Sequence, residues 1–72
     1  MSTWEYCIFT AYEAGQQAQY TISYAKNVEN LSGQGETRLT IFDKLGKDGW
    51  ELVSTHPVTT GLNEFYFKRE RL

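Results

Sequence analysis

The chain has 72 residues, of which seven are basic and nine are acidic, so its formal charge is −2. This length fits one small domain spanning residues 1–72, and the charge balance argues against a general nucleic-acid binder, which normally carries a basic face. No apolar run approaches the roughly 20 residues of a membrane span. The first residues also lack the basic and apolar regions of a signal peptide, so we expect a cytoplasmic protein with no membrane partner.

The chain contains one cysteine, Cys7, and one histidine, His56, which restricts the chemistry available to it. An internal disulfide is impossible, and one cysteine with one histidine does not complete a tetrahedral zinc site. No basic neighbour or spacing predicts a Cys7 thiolate activated by His56. We therefore predict no catalytic residue, no cofactor and no metal. Small domains without such supports usually gain stability by self-association.

The first half of the chain predicts an antiparallel hairpin followed by a loop. Residues 3–12 have strand composition throughout, and residues 18–25 alternate between apolar and polar side chains. A turn signal at Gly15 separates the two segments. Residues 26–35 are rich in Asn, Ser and Gly and are expected to connect the sheet to a helix.

The second half of the chain predicts one helix and two further strands. Apolar residues recur at helical spacing over about 36–48, and Gly49 is expected to end the helix in a left-handed conformation. Strands are expected at 50–55 and 64–69, because Pro57 ends the first of them. The order β-β-α-β-β predicts an α+β domain with a mainly antiparallel four-stranded sheet and one helix packed on one face. The expected apolar stripe of the helix consists of Leu39, Ile41, Phe42 and Leu45.

Alternation along the strands assigns their side chains to two faces of the sheet. The face toward the helix is expected to carry Trp4, Tyr6, Ile8, Trp50, Leu52, Phe65 and Phe67. The opposite face is expected to carry Glu5, Cys7, Phe9, Glu51, Val53, Tyr66 and Lys68. The candidate interface for a homo-oligomer lies on that opposite face and consists of Cys7, Phe9, Val53 and Tyr66. Gly46, inside the helix, is expected to permit a close approach to the sheet.

Three motifs carry a family resemblance: WEY at Trp4–Tyr6, LGKDGWELVS at Leu45–Ser54 and FYFKR at Phe65–Arg69. Together they resemble a family of small bacterial and phage proteins classed as a domain of unknown function. The resemblance covers residues 3–12 and about 36–70, whereas 13–35 departs from the family pattern by an inserted strand. It implies a compact α+β domain and proteins carried as cargo by mobile elements such as phages and gene cassettes. It supplies no catalytic or ligand-binding residues.

The leading hypothesis is a non-enzymatic module that self-associates through its sheet and acts as a binding or adaptor protein for an unidentified protein or small molecule. One alternative is a small-ligand binder with a pocket between helix and sheet, or across a subunit interface, near residues 26–35. A further alternative is an enzyme whose site is assembled between subunits from Glu5, Cys7, Glu51 and His56. The basic cluster 68–71 is expected to be a solvated tail rather than a phosphate contact.

Overall fold

In a computed structural model, which describes residues 3–71, the chain folds into a five-stranded antiparallel sheet with one helix. The strands are β1 (Trp4–Ala14), β2 (Gln17–Ser23), β3 (Val28–Asn30), β4 (Glu51–Thr59) and β5 (Leu62–Glu70), and helix α1 spans Arg38–Lys47. They lie in the order β3-β2-β1-β5-β4. The predicted α+β class and antiparallel sheet are confirmed, but the expectation of four strands is wrong. Within residues 3–71 no helix is long and apolar enough to span a membrane.

The fifth strand, β3, lies in the segment that was expected to be a loop. After β2 the chain bends through a turn in which the Tyr24 N–H donates to the Asn27 carbonyl at 2.8 Å, and it then returns beside β2. The Ser32 hydroxyl accepts from the Tyr20 N–H at 3.0 Å just beyond β3. The bond to Ser32 satisfies an outer backbone group of β2. A three-residue strand is too short to show an alternating pattern, so periodicity does not reveal it.

Strand β4 continues through Pro57, where it was expected to end. Pro57 is the register partner of Asn63, and the pairing becomes irregular between Pro57 and Thr59. Proline is tolerated here because β4 is an edge strand, so one side of its backbone needs no ladder donor. The proline and the irregular pairing also hinder the addition of another strand along this edge.

The core lies between α1 and one face of the sheet, and aromatic rings fill its centre. The Phe9 ring stacks on Phe65 with centroids 5.4 Å apart and meets the edge of Phe42 at 5.7 Å. Strands β1 and β5 place these rings together because Phe9 and Phe65 are direct register partners. The buried residues are Cys7, Phe9, Ala11, Tyr20, Ile22, Leu31, Ile41, Leu45, Trp50, Phe65 and Phe67.

The assignment of the two faces of β1 was wrong. Cys7 and Phe9, expected on the open side, are 2% and 0% exposed beneath the helix, and the even-numbered residues of β1 point away from it. Both faces of β1 are apolar, so alternation alone did not decide which one faces the core. The placement of Phe65 and Phe67 beneath the helix is confirmed. Their register partners on β1 are Phe9 and Cys7, and this pairing decides the face.

Helix α1 begins after Thr37, whose hydroxyl accepts from the Thr40 N–H at 3.2 Å. Ile41 and Leu45 are fully buried, but Leu39 is 75% exposed, so its place in the expected stripe is wrong. Arg38 lies on the sheet side instead, where its guanidinium is 5.2 Å from the centre of the Phe65 ring and pairs with Glu13.

The two glycines that bear on stability have different surroundings. At Gly46, an added Cβ would have no atom of another element within 4 Å, so the expected close approach to the sheet is wrong. At Gly61, φ is +79° and an added Cβ would lie 2.6 Å from the Glu13 carbonyl oxygen. The Glu13 N–H in turn donates to the Gly61 carbonyl at 2.7 Å. Gly49, with φ of +88°, follows the helix as predicted.

We predict opposite effects of alanine at Gly46 and Gly61. Gly46→Ala should raise the free energy of unfolding by roughly 0.5–1 kcal/mol, because alanine has the higher helix propensity and meets no obstacle. Gly61→Ala should lower it by about 1–3 kcal/mol through the strained backbone and the contact with Glu13. Urea unfolding monitored by tryptophan fluorescence measures both changes. Stabilisation by Gly61→Ala would contradict the close approach of this turn to Glu13.

Candidate functional site

The second face of the sheet is not covered by any element among residues 3–71, since the one helix packs against the other face. Exposed aromatic side chains follow the central strand there, with Trp4 43% and Tyr6 62% exposed. Direct register partners share a face, so Lys68 and Tyr66 of β5 lie beside Tyr6 and Ile8. We call this surface the open face. It comprises Trp4, Tyr6, Ile8, Thr10, Tyr12, Glu64, Tyr66 and Lys68.

The charged groups of the open face lie on either side of Tyr66. The Lys68 ammonium is 4.3 Å from the centre of the Trp4 ring. On the other side the Tyr66 hydroxyl donates to a Glu64 carboxylate oxygen at 2.9 Å, and this bond raises the pKa of Tyr66. Strand β5 therefore presents a cation toward one end of the face and a carboxylate toward the other.

The four residues predicted as an interface do not form one patch. Cys7 and Phe9 are buried in the core, and neither is available on the surface. Val53 and Tyr66 are exposed, and Val53 lies at an irregularity where the pairing of β4 with β5 shifts between Leu52 and Ser54. A role in association stays a prediction for Val53 and Tyr66. Sequence reasoning missed Trp4 and Tyr6 as surface residues because it assigned Trp4, Tyr6 and Ile8 to the face toward the helix.

Arg69 joins three elements at the end of the sheet where β1 begins. Its Nε donates to a Glu5 carboxylate oxygen at 2.8 Å, and its Nη1 donates to the Asp48 carbonyl at 2.9 Å just beyond α1. The guanidinium lies 4.3 Å from the centre of the Trp50 ring. The expectation that 68–71 is a solvated tail is therefore wrong for Arg69. The structural role of Arg69 could have been predicted from the pairing of β1 with β5, because this pairing places Arg69 opposite the acidic residue Glu5.

A cleft of about 400 Å³ lies between the start of β1 and the bend that follows β2. Tyr24 and Trp50 form one wall, with their ring centroids 6.1 Å apart. A continuation of about 470 Å³ extends past Lys26 and Asn27. We call this combined space the end cleft. Its principal lining residues are Trp4, Glu5, Tyr24, Ala25, Trp50 and Arg71.

The residues considered for a site shared between subunits are dispersed within one copy. Burial raises the pKa of the Cys7 thiol to about 11, an effect that Arg69 opposes and Glu5 reinforces, so the thiol is neutral near pH 7. His56 is exposed on the edge strand β4, where it is the register partner of Glu64. Glu51 is also exposed on β4. In the described part of the chain, no group of three His, Cys, Asp or Glu residues is arranged to hold a metal ion.

Comparison of the chain with family models, with curated proteins and with solved structures finds no match. The resemblance to the small bacterial and phage family therefore stays a prediction. The functional assignment rests on the geometry of the open face and the end cleft.

We predict that stability falls as the pH rises from about 9 to about 11, because Cys7 ionises in the unfolded chain near its ordinary value of 9.0 but only near 11 in the folded protein. In this window the unfolded state binds fewer protons, which favours unfolding by up to about 1.4 kcal/mol per unit of pKa difference. Urea unfolding at pH 8, 9, 10 and 10.5 measures the slope.

Cys7→Ala is the control, since it removes the thiol while the tyrosines and lysines that also ionise in this range remain. Its stability should decline less steeply with pH than that of the parent chain. Identical slopes for the two proteins would show that the thiol is not held neutral by burial.

Proposed function

We propose that the protein is a self-associating binding module in which two copies pack face to face through the open face. The observation that carries this proposal is the row of exposed aromatic side chains along the central strand, which includes Trp4, Tyr6 and Tyr12. A solvated face of an antiparallel sheet normally carries polar side chains. A contiguous apolar patch on such a face is typical of an interaction surface.

The area of the uncovered side of the sheet supports a second copy as its occupant. The five strands together, spaced about 4.8 Å apart, give this side roughly 600 Å², and the open face forms its centre. Specific interfaces bury about 600–1,000 Å² on each partner. The face is therefore large enough for a dimer only if nearly all of it is used, which favours a flat partner sheet over a narrow peptide.

The distribution of charge is self-complementary for one arrangement of two copies. The arrangement has a two-fold axis that lies between the two sheets and parallel to them, and that crosses the strands at right angles. The axis passes over Ile8 and Tyr66, which are register partners. Rotation about this axis brings Lys68 opposite Glu64 of the second copy, because these residues lie equally far from Tyr66 along β5. Stacked sheets lie about 10 Å apart with strands within about 30° of alignment, so groups near the axis remain opposed.

The same operation pairs the flanking groups favourably. Glu51 and His56 are the register partners of Lys68 and Glu64, so Glu51 of one copy lies opposite His56 of the other. Trp4 lies opposite Tyr12 of the second copy, which places two large rings together at each end of the central strand. Opposed charges at the rim fix register and orientation more than they add affinity. The aromatic row supplies the apolar contact.

We predict that Tyr6→Arg abolishes the dimer, because it places a second cation beside Lys68 in the middle of the contact. Leu39→Arg is the matched control, since Leu39 is also an exposed large side chain but lies on the outer side of α1. Size exclusion with light scattering across a range of concentrations should give twice the 8.3 kDa chain mass for the parent and for Leu39→Arg. Tyr6→Arg should give the single-chain mass. A monomeric parent at the highest concentration would refute self-association.

We predict further that charge reversal identifies the arrangement of the two copies. Lys68→Glu and Glu64→Lys should each weaken the dimer about three- to tenfold, because each places like charges opposite one another. The double variant should recover most of the loss, since it restores opposite charges at both contacts. Sedimentation equilibrium measures the dissociation constants. If the dimer forms but the losses simply add in the double variant, the open face associates in a different register.

A further inference from the structure

Strand β1 has an unpaired backbone edge at its beginning. The Arg71 N–H donates to the Thr3 carbonyl and the Glu13 N–H donates to the Gly61 carbonyl, so the odd-numbered residues of β1 direct their backbone groups toward β5. The even-numbered residues direct theirs toward β2. Pairing with β2 ends at Ile8 and Ser23, where the chain bends away. Among residues 3–71, the N–H and C=O groups of Trp4 and Tyr6 therefore have no strand partner.

The end cleft occupies the gap that β2 leaves. Trp4, Tyr6 and Ile8 line one side of it, and Ser23, Tyr24 and Ala25 line the other. The gap continues the line of β2, so an extended segment lying in it would have the direction and spacing of a sheet strand. The unpaired groups of Trp4 and Tyr6 supply its hydrogen bonds. The partly exposed ring of Tyr24, which packs against Trp50, supplies apolar surface for one of its side chains.

The charge of the end cleft selects an acidic segment. Lys26, Arg69 and Arg71 line the continuation of the cleft together with one carboxylate, that of Glu5. Arg69 neutralises Glu5 through its 2.8 Å bond. Within the described part of the chain, Lys26 and Arg71 have no ion-pair partner. The carboxylates of Asp48 and Glu70 do not line the cleft; they line an adjoining groove that shares Glu5, Arg69 and Arg71 with it.

We propose that the end cleft binds an extended acidic peptide segment of a partner protein, which adds as a short strand beside Trp4–Tyr6 and pairs its carboxylates with Lys26 and Arg71. Main-chain hydrogen bonds supply affinity in this mode of recognition, and pockets for alternate side chains supply specificity. The cleft shares Trp4 and Tyr6 with the open face, but its cations lie elsewhere, beside Trp50 and Arg69.

A phage-displayed library of random octapeptides tests the ligand class on the intact chain. We expect enriched peptides that combine acidic with β-branched residues, and fluorescence anisotropy should show that the best of them binds. Lys26→Glu combined with Arg71→Glu should weaken that peptide at least tenfold. Lys44→Glu with Lys47→Glu, which makes the same charge change on α1, should alter the affinity less than twofold. Enrichment of basic or charge-neutral peptides, or no enrichment, would overturn the proposal.

Amide hydrogen exchange tests the strand addition itself. The Trp4 and Tyr6 amides should exchange rapidly in the free protein, and the selected peptide should slow both at least tenfold. Two N-methylated versions of this peptide should behave differently, one methylated at the odd-numbered amides and one at the even-numbered amides. Only the version whose methyl groups replace the N–H groups that face β1 should fail to protect Trp4 and Tyr6. If the peptide binds but both amides exchange as before, it does not add as a strand. Dimerisation through the open face changes the affinity for the peptide, but it does not decide whether the Trp4 and Tyr6 amides are protected on binding.

Discussion

The antiparallel pairing of β1 with β5 is the constraint on which the rest of the structure depends. It joins segments about 60 residues apart in the chain and places β1 at the centre of the sheet. The register of this pair brings Phe9 onto Phe65 in the core and Glu5 onto Arg69 at the sheet end. Closing so long a loop costs conformational entropy before any contact forms. The stacking of Phe9 on Phe65 and the backbone hydrogen bonds between β1 and β5 together offset that cost. Both form only when the two strands pair in this register.

The open face is a consequence of the composition of β1. A central strand with apolar side chains on both faces suits a sheet that is covered on both sides. Here the ten-residue helix α1 covers one face only, and the even-numbered residues of β1 remain exposed. A single layer of helix therefore leaves half of the apolar surface of β1 without a partner. The proposed self-association through that surface would complete the second layer with no additional element of the chain.

Features with local causes could be predicted from the sequence. The helix, its end at Gly49 and the burial of Phe65 and Phe67 follow from periodicity and from the conformational freedom of glycine. The face of β1 was misassigned because Trp4 and Tyr6 are as apolar as Phe9, so only the pairing with β5 decides between them. A pocket near residues 26–35 was among the alternatives, but its position beside the start of β1 was not predicted, for a related reason. It depends on where β2 stops, and no local pattern marks that point within residues 18–25.

Arg69 shows how a residue in an apparently solvated cluster becomes structural. Lys68 and Arg69 are neighbours in sequence, but the pleat sends them to opposite faces, where each lies over a tryptophan. Lys68 covers Trp4 on the open face, whereas Arg69 covers Trp50 beside the end cleft. The aliphatic and charged parts of these two side chains thus cover aromatic rings on both sides of β5. The pairing with β1, rather than the charge pattern, determines these two roles.

The two proposed surfaces share the first residues of β1 and are therefore coupled. The side chains of Trp4 and Tyr6 belong to the open face, and their backbone groups belong to the end cleft. A strand added beside them would extend the sheet and enlarge the face that a second copy contacts. Binding that enlarges the contact must favour the dimer, and the dimer must favour the same ligand by an equal free energy. An acidic peptide segment would then promote assembly as it binds, which is the behaviour of an adaptor rather than of a passive scaffold.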